Sequence, residues 1–117
     1  MARRRNQGSK WIRRSTRLAI YHRDNDRCVY CGAAADLTLD HVIACELTDK
    51  PDNSPTNLVT ACLACNSAKR HLTLRGWTAY LRAARGFAAA ETTAMLRRVR
   101  NAIARPLDRA EGMRRAA

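Results

Sequence analysis

Residues 28–71 read CVYCGAAADLTLDHVIACELTDKPDNSPTNLVTACLACNSAKRH, and this stretch decides the fold. It opens on Cys28-Val-Tyr-Cys31-Gly32 and closes on Cys62-Leu-Ala-Cys65-Asn66, followed by Lys69. A Cys-x-x-Cys pair presents two sulfurs to one side of a tetrahedral ion, so two pairs make a four-cysteine set for structural zinc. Gly32 permits the tight turn that a metal knuckle needs. The pairs stand 30 residues apart, wider than in a typical zinc ribbon, so an element is inserted between them. Two disulfides or buried inert thiols are the competing readings. The N-terminus is basic but lacks the apolar segment of a secretory signal, which favours a cytosolic address where thiols stay reduced. A redox role would need a thioredoxin-like βαβ pattern, and none is legible. Cys45 is the fifth cysteine and reads as a free thiol in a loop.

Outward from the knuckles the elements are short. Leu37–Ile43 mixes β-branched and apolar residues and reads as a strand, and Leu58–Thr60 as a second one. Residues 45–56, with two prolines and Asp, Asn and Ser, read as a surface loop. Residues 62–71 run into a helix ending near Lys69, Arg70 and His71. Upstream, Ser15 or Thr16 is a candidate N-cap for a helix reaching about Asp24, and Asn25-Asp26 is a turn signal. Downstream, Trp77, Tyr80, Leu81 and Ala84 fall at helical spacing before Gly86. Met95, Leu96, Val99, Ala102 and Ile103 do so before Pro106. Both stripes read as core packing. Residues 107–117 read as a frayed basic tail. The expected organisation is a basic N-terminal arm at 1–14, a zinc-bound core at 15–75, and a basic helical extension with tail at 76–117.

The charge sharpens this division. The 117 residues carry 22 Lys and Arg against 10 Asp and Glu, a formal +12. Residues 1–27 hold +7, residues 28–66 hold −4 and residues 67–117 hold +9. An acidic, cysteine-bearing centre is thus flanked by basic arms, which points to a polyanionic partner. Nineteen of the 22 basic residues are Arg, the side chain suited to bidentate phosphate contact. Arg13, Arg14, Arg17, Arg23, Lys69 and Arg70 are the candidate nucleic-acid contacts. No apolar run approaches a membrane span, and the basic stretches lack the bulky apolar face of an interfacial helix.

Between the knuckles lie Asp40-His41, Asn57 and, just past the last cysteine, Asn66. Phosphodiester cleavage needs a base, a Lewis acid and a grip on the strand. Neutral His41 can take a proton from water near pH 7, and Asp40 offers a hard oxygen to Mg²⁺. Asn66 can add an amide oxygen from the helix. Each residue alone also has a structural reading: a hydrogen-bonding carboxylate, a buried imidazole, a turn Asn, a helix-start Asn. Adjacent strand residues face opposite ways, so Asp40 and His41 would need a locally irregular strand end to converge.

In combination, Cys28-x-x-Cys31-Gly32, Leu39-Asp40-His41-Val42, Asn57-Leu58-Val59 and Cys62-x-x-Cys65-Asn66-x-x-Lys69 resemble the HNH endonuclease family, over roughly residues 16–71. The resemblance implies an α+β fold: a small ββα-metal finger with a four-cysteine structural zinc site, flanked by N- and C-terminal helices. It implies a metal-dependent nuclease with His41 as general base and Asp40 and Asn66 as ligands of the catalytic metal. Asn57 matches the central Asn that orients the base and fixes the loop. Asn66 stands where many members have His, which favours Mg²⁺ or Mn²⁺ over softer ions. DNA is the implied substrate, cut to a 5′-phosphate and a 3′-hydroxyl. Two alternatives stand beside this: a non-catalytic zinc-bridged nucleic-acid-binding module, and a nuclease accessory to a phage DNA-packaging machine. A homodimer built on segment 91–105 and phage packaging partners are left open.

Overall fold

The computed structural model describes residues 12–43 and 52–117. Cys45, most of the 45–56 loop and most of the basic N-terminal arm lie outside these residues. Five α-helices and a two-stranded antiparallel sheet follow in the order α1 (Arg14–Arg23), β1 (Leu37–His41), a 3-10 turn (Pro55–Asn57), β2 (Leu58–Cys62), α2 (Leu63–Lys69), α3 (Leu74–Arg85), α4 (Ala89–Ala104) and α5 (Arg109–Ala116). The fold class is therefore α+β, as the sequence implies. No helix among the described residues is long and apolar enough to cross a membrane.

Helix α1 begins a turn earlier than its polar residues suggest. Arg13 is the N-cap, and no side chain caps the helix. Ser15 and Thr16 lie inside it instead. The helix stops at Asp24, after which Asn25 and Asp26 both take positive φ (60° and 55°), a conformation that short polar side chains tolerate. The chain then enters the first knuckle. There Gly32 N–H donates to Cys28 C=O at 2.9 Å with φ of 84° at Gly32, while Val29 N–H donates to Thr60 C=O at 2.9 Å. That last bond docks the knuckle on β2.

Strand pairing sets Leu39 opposite Thr60, Asp40 opposite Val59 and His41 opposite Leu58. Every residue of β2 is buried, so the sheet is covered on both faces. On one side Leu39 and Leu58 pack with Ile12 and Ile20 of the N-terminal segment and α1. On the other, Val59 and Ala61 meet Tyr30, Trp77, Leu81, Met95, Val99 and Ala102. The two helical stripes do form core, with one exception: Tyr80 is 37% exposed and stacks on Trp77 at 5.4 Å between ring centroids.

The C-terminal segment is not a frayed tail. Asp108 caps α5 by accepting from Glu111 N–H at 3.0 Å. Gly112 is buried where any Cβ would collide with the Ser15 carbonyl and the Ala19 side chain of α1. Arg115 then bridges to Asp26 at 2.8 Å and to His22 at 3.2 Å. The missing side chain at Gly112 lets two short, polar helices close together, and charge pairing at the far end holds the register.

Candidate active site and metal centre

The four knuckle cysteines converge. The Sγ atoms of Cys28, Cys31, Cys62 and Cys65 all lie within 4.8 Å of one another, and Cys31 and Cys62 approach to 3.6 Å. An ideal tetrahedron at a Zn–S distance of about 2.3 Å has sulfurs about 3.8 Å apart, so this set fits zinc. The second knuckle forms at a helix start: Cys62 is the N-cap of α2, and its sulfur accepts from Cys65 N–H at 3.4 Å. Arg85 of α3 donates to Cys65 Sγ at 3.1 Å, with its guanidinium 5.5 Å above the Trp77 ring. A cation at that point favours thiolate, the form that binds metal. A hydrogen bond from the Cys65 thiol holds Cys28 down to about 4, while Cys65 is pushed up in turn. The first sulfur thus ionises easily, and the rest need a cation such as Zn²⁺ among them.

Asp40 lies on the face of β1 that meets α2. It is 4% exposed. Its Oδ2 accepts from the Tyr30 hydroxyl and pairs with Lys69 Nζ at 3.1 Å. Tyr30 sits inside the first knuckle, between Cys28 and Cys31, so the zinc cluster and Asp40 share a rigid strut. Burial pushes the Asp40 carboxyl up, and the Lys69 ammonium opposes that shift. Lys69 is itself fully buried and also donates to the His41 carbonyl at 3.0 Å. Asn66, one turn earlier on α2, donates Nδ2 to Thr38 Oγ1 at 2.9 Å and to Leu39 C=O at 3.0 Å. That fixes the amide and reserves its oxygen for another partner.

His41 ends β1 and leaves the strand on the face opposite Asp40, as the alternation of a regular strand requires. Its Nε2 lies 2.7 Å from Asn53 Oδ1. An amide oxygen only accepts, so Nε2 carries the proton and Nδ1 is the basic nitrogen. Asn57 holds the chain behind this residue. Its Oδ1 accepts from Ile43 N–H at 2.8 Å, and its Nδ2 donates to Ile43 C=O at 3.1 Å and Asp52 C=O at 2.9 Å. One buried amide therefore ties together the two positions at which the 45–56 loop leaves and returns.

The structure brings Asp40, Lys69 and Asn66 together along the β1–α2 contact, and His41, Asn53 and Asn57 together at the strand end. Two expected phosphate contacts are corrected by burial. Arg23 is 6% exposed; it pairs with Asp24 at 2.8 Å and donates to the carbonyls of Pro55 and Leu58 at 2.9 and 2.7 Å. Lys69 is held by Asp40 and His41. Neither reaches a strand of nucleic acid from there. Arg13, Arg14 and Arg70 are exposed, and Arg17 is half-buried. Sequence reasoning passed over Tyr30, Asn53 and Arg85. An aromatic residue within a knuckle was the one signal available for Tyr30; Asn53 and Arg85 carry none.

Residues 28–72 match the family model described as HNH endonuclease, the family that the knuckle and Asp40-His41 motifs resemble. None of the curated proteins and none of the solved structures matches the chain. The class defined here is an HNH domain with a four-cysteine metal cluster, which points to nuclease or nucleic-acid-binding activity.

Proposed function

We propose that the chain is a metal-dependent endonuclease that hydrolyses DNA phosphodiester bonds to a 5′-phosphate and a 3′-hydroxyl. The observation that carries this reading is the setting of His41. Within the HNH segment it ends a strand, its ring is oriented by Asn53, its carbonyl is held by Lys69, and the chain beyond it is stapled by Asn57. That is the preorganisation a general base needs.

In the proposed reaction His41 Nδ1 takes a proton from water as the water oxygen bonds to phosphorus. The bond to the 3′-oxygen breaks in line, and that oxygen leaves toward protonation. Asp40 and Asn66 are the residues that would hold a divalent cation, and their all-oxygen donor set suits Mg²⁺ or Mn²⁺. When bound, the cation supplies charge stabilisation to the phosphoryl and leaving oxygens. Lys69 fixes the Asp40 carboxylate and the His41 backbone at once, and the exposed arginines of α1 grip neighbouring phosphates.

A second reading has one observation in its favour. The Lys69 ammonium already sits against the Asp40 carboxylate, which suits a domain that binds nucleic acid without cleaving it. Supercoiled plasmid incubated with Mg²⁺, Mn²⁺ or EDTA separates the two. Nicked or linear product that requires added metal, and disappears in His41→Ala with zinc content and DNA binding retained, supports the nuclease. Full cleavage by His41→Ala refutes the mechanism. Binding without cleavage by the zinc-loaded wild type supports the second reading.

A further inference from the structure

On the flank of the first knuckle, a cleft of about 360 Å³ opens between the turn after α1, the knuckle and the last turns of α4. None of Asp40, His41, Asn57 and Asn66 lines it. Three guanidiniums do: Arg27 from the turn, and Arg98 and Arg105 from α4 and its C-cap. Their hydrogen bonds all go to neutral backbone oxygens. Arg98 donates Nε to Val29 C=O at 2.9 Å and Nη2 to Tyr30 C=O at 3.2 Å. Arg27 donates to Gly32 C=O at 3.1 Å, and Arg105 to Arg23 C=O at 3.5 Å. Among the described residues no carboxylate pairs with any of the three.

The one acid on the cleft wall is already engaged. Asp24 places both oxygens on Arg23, at 2.8 and 3.1 Å, and its Oδ2 also accepts from Thr60 N–H at 2.9 Å. The zinc thiolate cluster does not account for the charge either. Four thiolates with one Zn²⁺ keep two negative charges, and Arg85 already answers one of them at Cys65 on another side. Three more guanidiniums exceed what remains. Arg98 uses two of its five N–H donors to fix its plane, so the remaining donors are held in place before any ligand arrives. Asn25 and Asn101 add uncharged hydrogen-bonding groups, and no aromatic ring lines the cleft to stack a base. At about 30 Å³ per water, the volume admits a phosphodiester with its hydration.

We infer that this cleft binds a backbone phosphate of the nucleic acid, held by Arg27, Arg98 and Arg105 at a point separate from the bond to be cleaved. The inference rests on the nucleic-acid reading above and gives it a second anchor that no motif marks. It places a strand across the zinc knuckle as well as the His41 edge.

Two variants test it with the full, zinc-loaded chain: Arg27→Ala/Arg105→Ala, which removes two donors, and Asn101→Asp, which sets a carboxylate among the arginines. Binding of a short DNA duplex is read by fluorescence anisotropy from 50 to 200 mM NaCl, and each protein is melted with and without inorganic phosphate. The double variant should bind roughly tenfold or more weakly, and its salt slope should fall by about two. Asn101→Asp should also lose DNA affinity while melting at or above the wild-type temperature, because its new carboxylate pairs with the arginines. A purely structural role for them predicts no affinity loss in that variant. Wild-type affinity and slope in Asn101→Asp overturn the inference even if the double variant fails to fold. Stabilisation of the wild type alone by inorganic phosphate, with unchanged DNA slopes in both variants, assigns the cleft to a free anion and overturns the nucleic-acid assignment. Failure of the wild type to bind DNA at all overturns the nuclease reading together with this one.

Discussion

Replacing Lys69 with Met keeps the length and apolar stem of the side chain and removes only the ammonium. The consequence can be worked from the burial. Lys69 and the Asp40 side chain are 0% and 5% exposed, and Nζ lies 3.1 Å from Asp40 Oδ2 and 3.0 Å from the His41 carbonyl. Without Lys69, Asp40 keeps the Tyr30 hydroxyl but loses its counter-charge in a site that already penalises ionisation. Breaking a buried pair from one side costs about 3–5 kcal/mol, far above the ~0–1 kcal/mol of an exposed pair. With a urea m-value of about 1.5 kcal/mol per M, the midpoint should fall by about 2 M or more. The assay is urea unfolding at pH 7 with zinc held constant, for wild type, Lys69→Met, Asp40→Asn and the double variant. The double variant removes both charges, so it should recover a large part of the loss and give a coupling energy of at least ~1 kcal/mol. A Lys69→Met protein within ~1 kcal/mol of wild type, or a double variant no more stable than the sum of the singles predicts, refutes the account of this pair.

Cys62→Ser removes a zinc ligand and the sulfur that accepts from Cys65 N–H; it should lose zinc and its helical circular dichroism together, and a folded, zinc-loaded variant would contradict the assignment of all four cysteines to one ion. Gly112→Val forces a side chain into the Ser15 carbonyl and Ala19; it should cost about 1–3 kcal/mol, read as a lower melting temperature, and an unchanged melt would mean that α5 does not close on α1. Asp26 is held below its ordinary 3.8, chiefly by a hydrogen bond from Arg115. Because the folded pKa is the lower one, this stabilisation is complete above the unfolded value and fades as pH falls through the folded one. The stability difference between wild type and Asp26→Asn should therefore hold steady above about pH 5 and narrow below about pH 4; a difference that persists unchanged in acid would remove Arg115 as the cause.

Much of the core was legible because its signals are local. A Cys-x-x-Cys spacing fixes two sulfurs on one side of an ion whatever surrounds it, and Asn25-Asp26 and Gly32 mark turns by their backbone tolerance. The antiparallel strands and the apolar stripes of α3 and α4 follow from periodicity. The start of α1 was misplaced because a polar residue can sit inside a first turn as well as cap it. The C-terminal segment looked like a tail because its sequence is rich in Arg and poor in apolar residues; its docking depends on an absent side chain at Gly112, which composition does not register.

By itself, then, the sequence determined the four-cysteine cluster, the pairing of Leu37–His41 with the strand before Cys62, and the candidate set His41, Asn57, Asp40 and Asn66. Each of these depends on residue types at short, fixed spacings. Only the tertiary structure decided what the charged side chains do. It buried Lys69 and Arg23 as internal partners of Asp40 and Asp24, set Tyr30 of the knuckle against Asp40, turned Asn53 to His41, and gathered Arg27, Arg98 and Arg105 around one cleft. The physical reason is distance along the chain. A guanidinium or ammonium carries the same charge in any sequence, but its effect depends on burial and on partners many residues away, and folding alone brings those together.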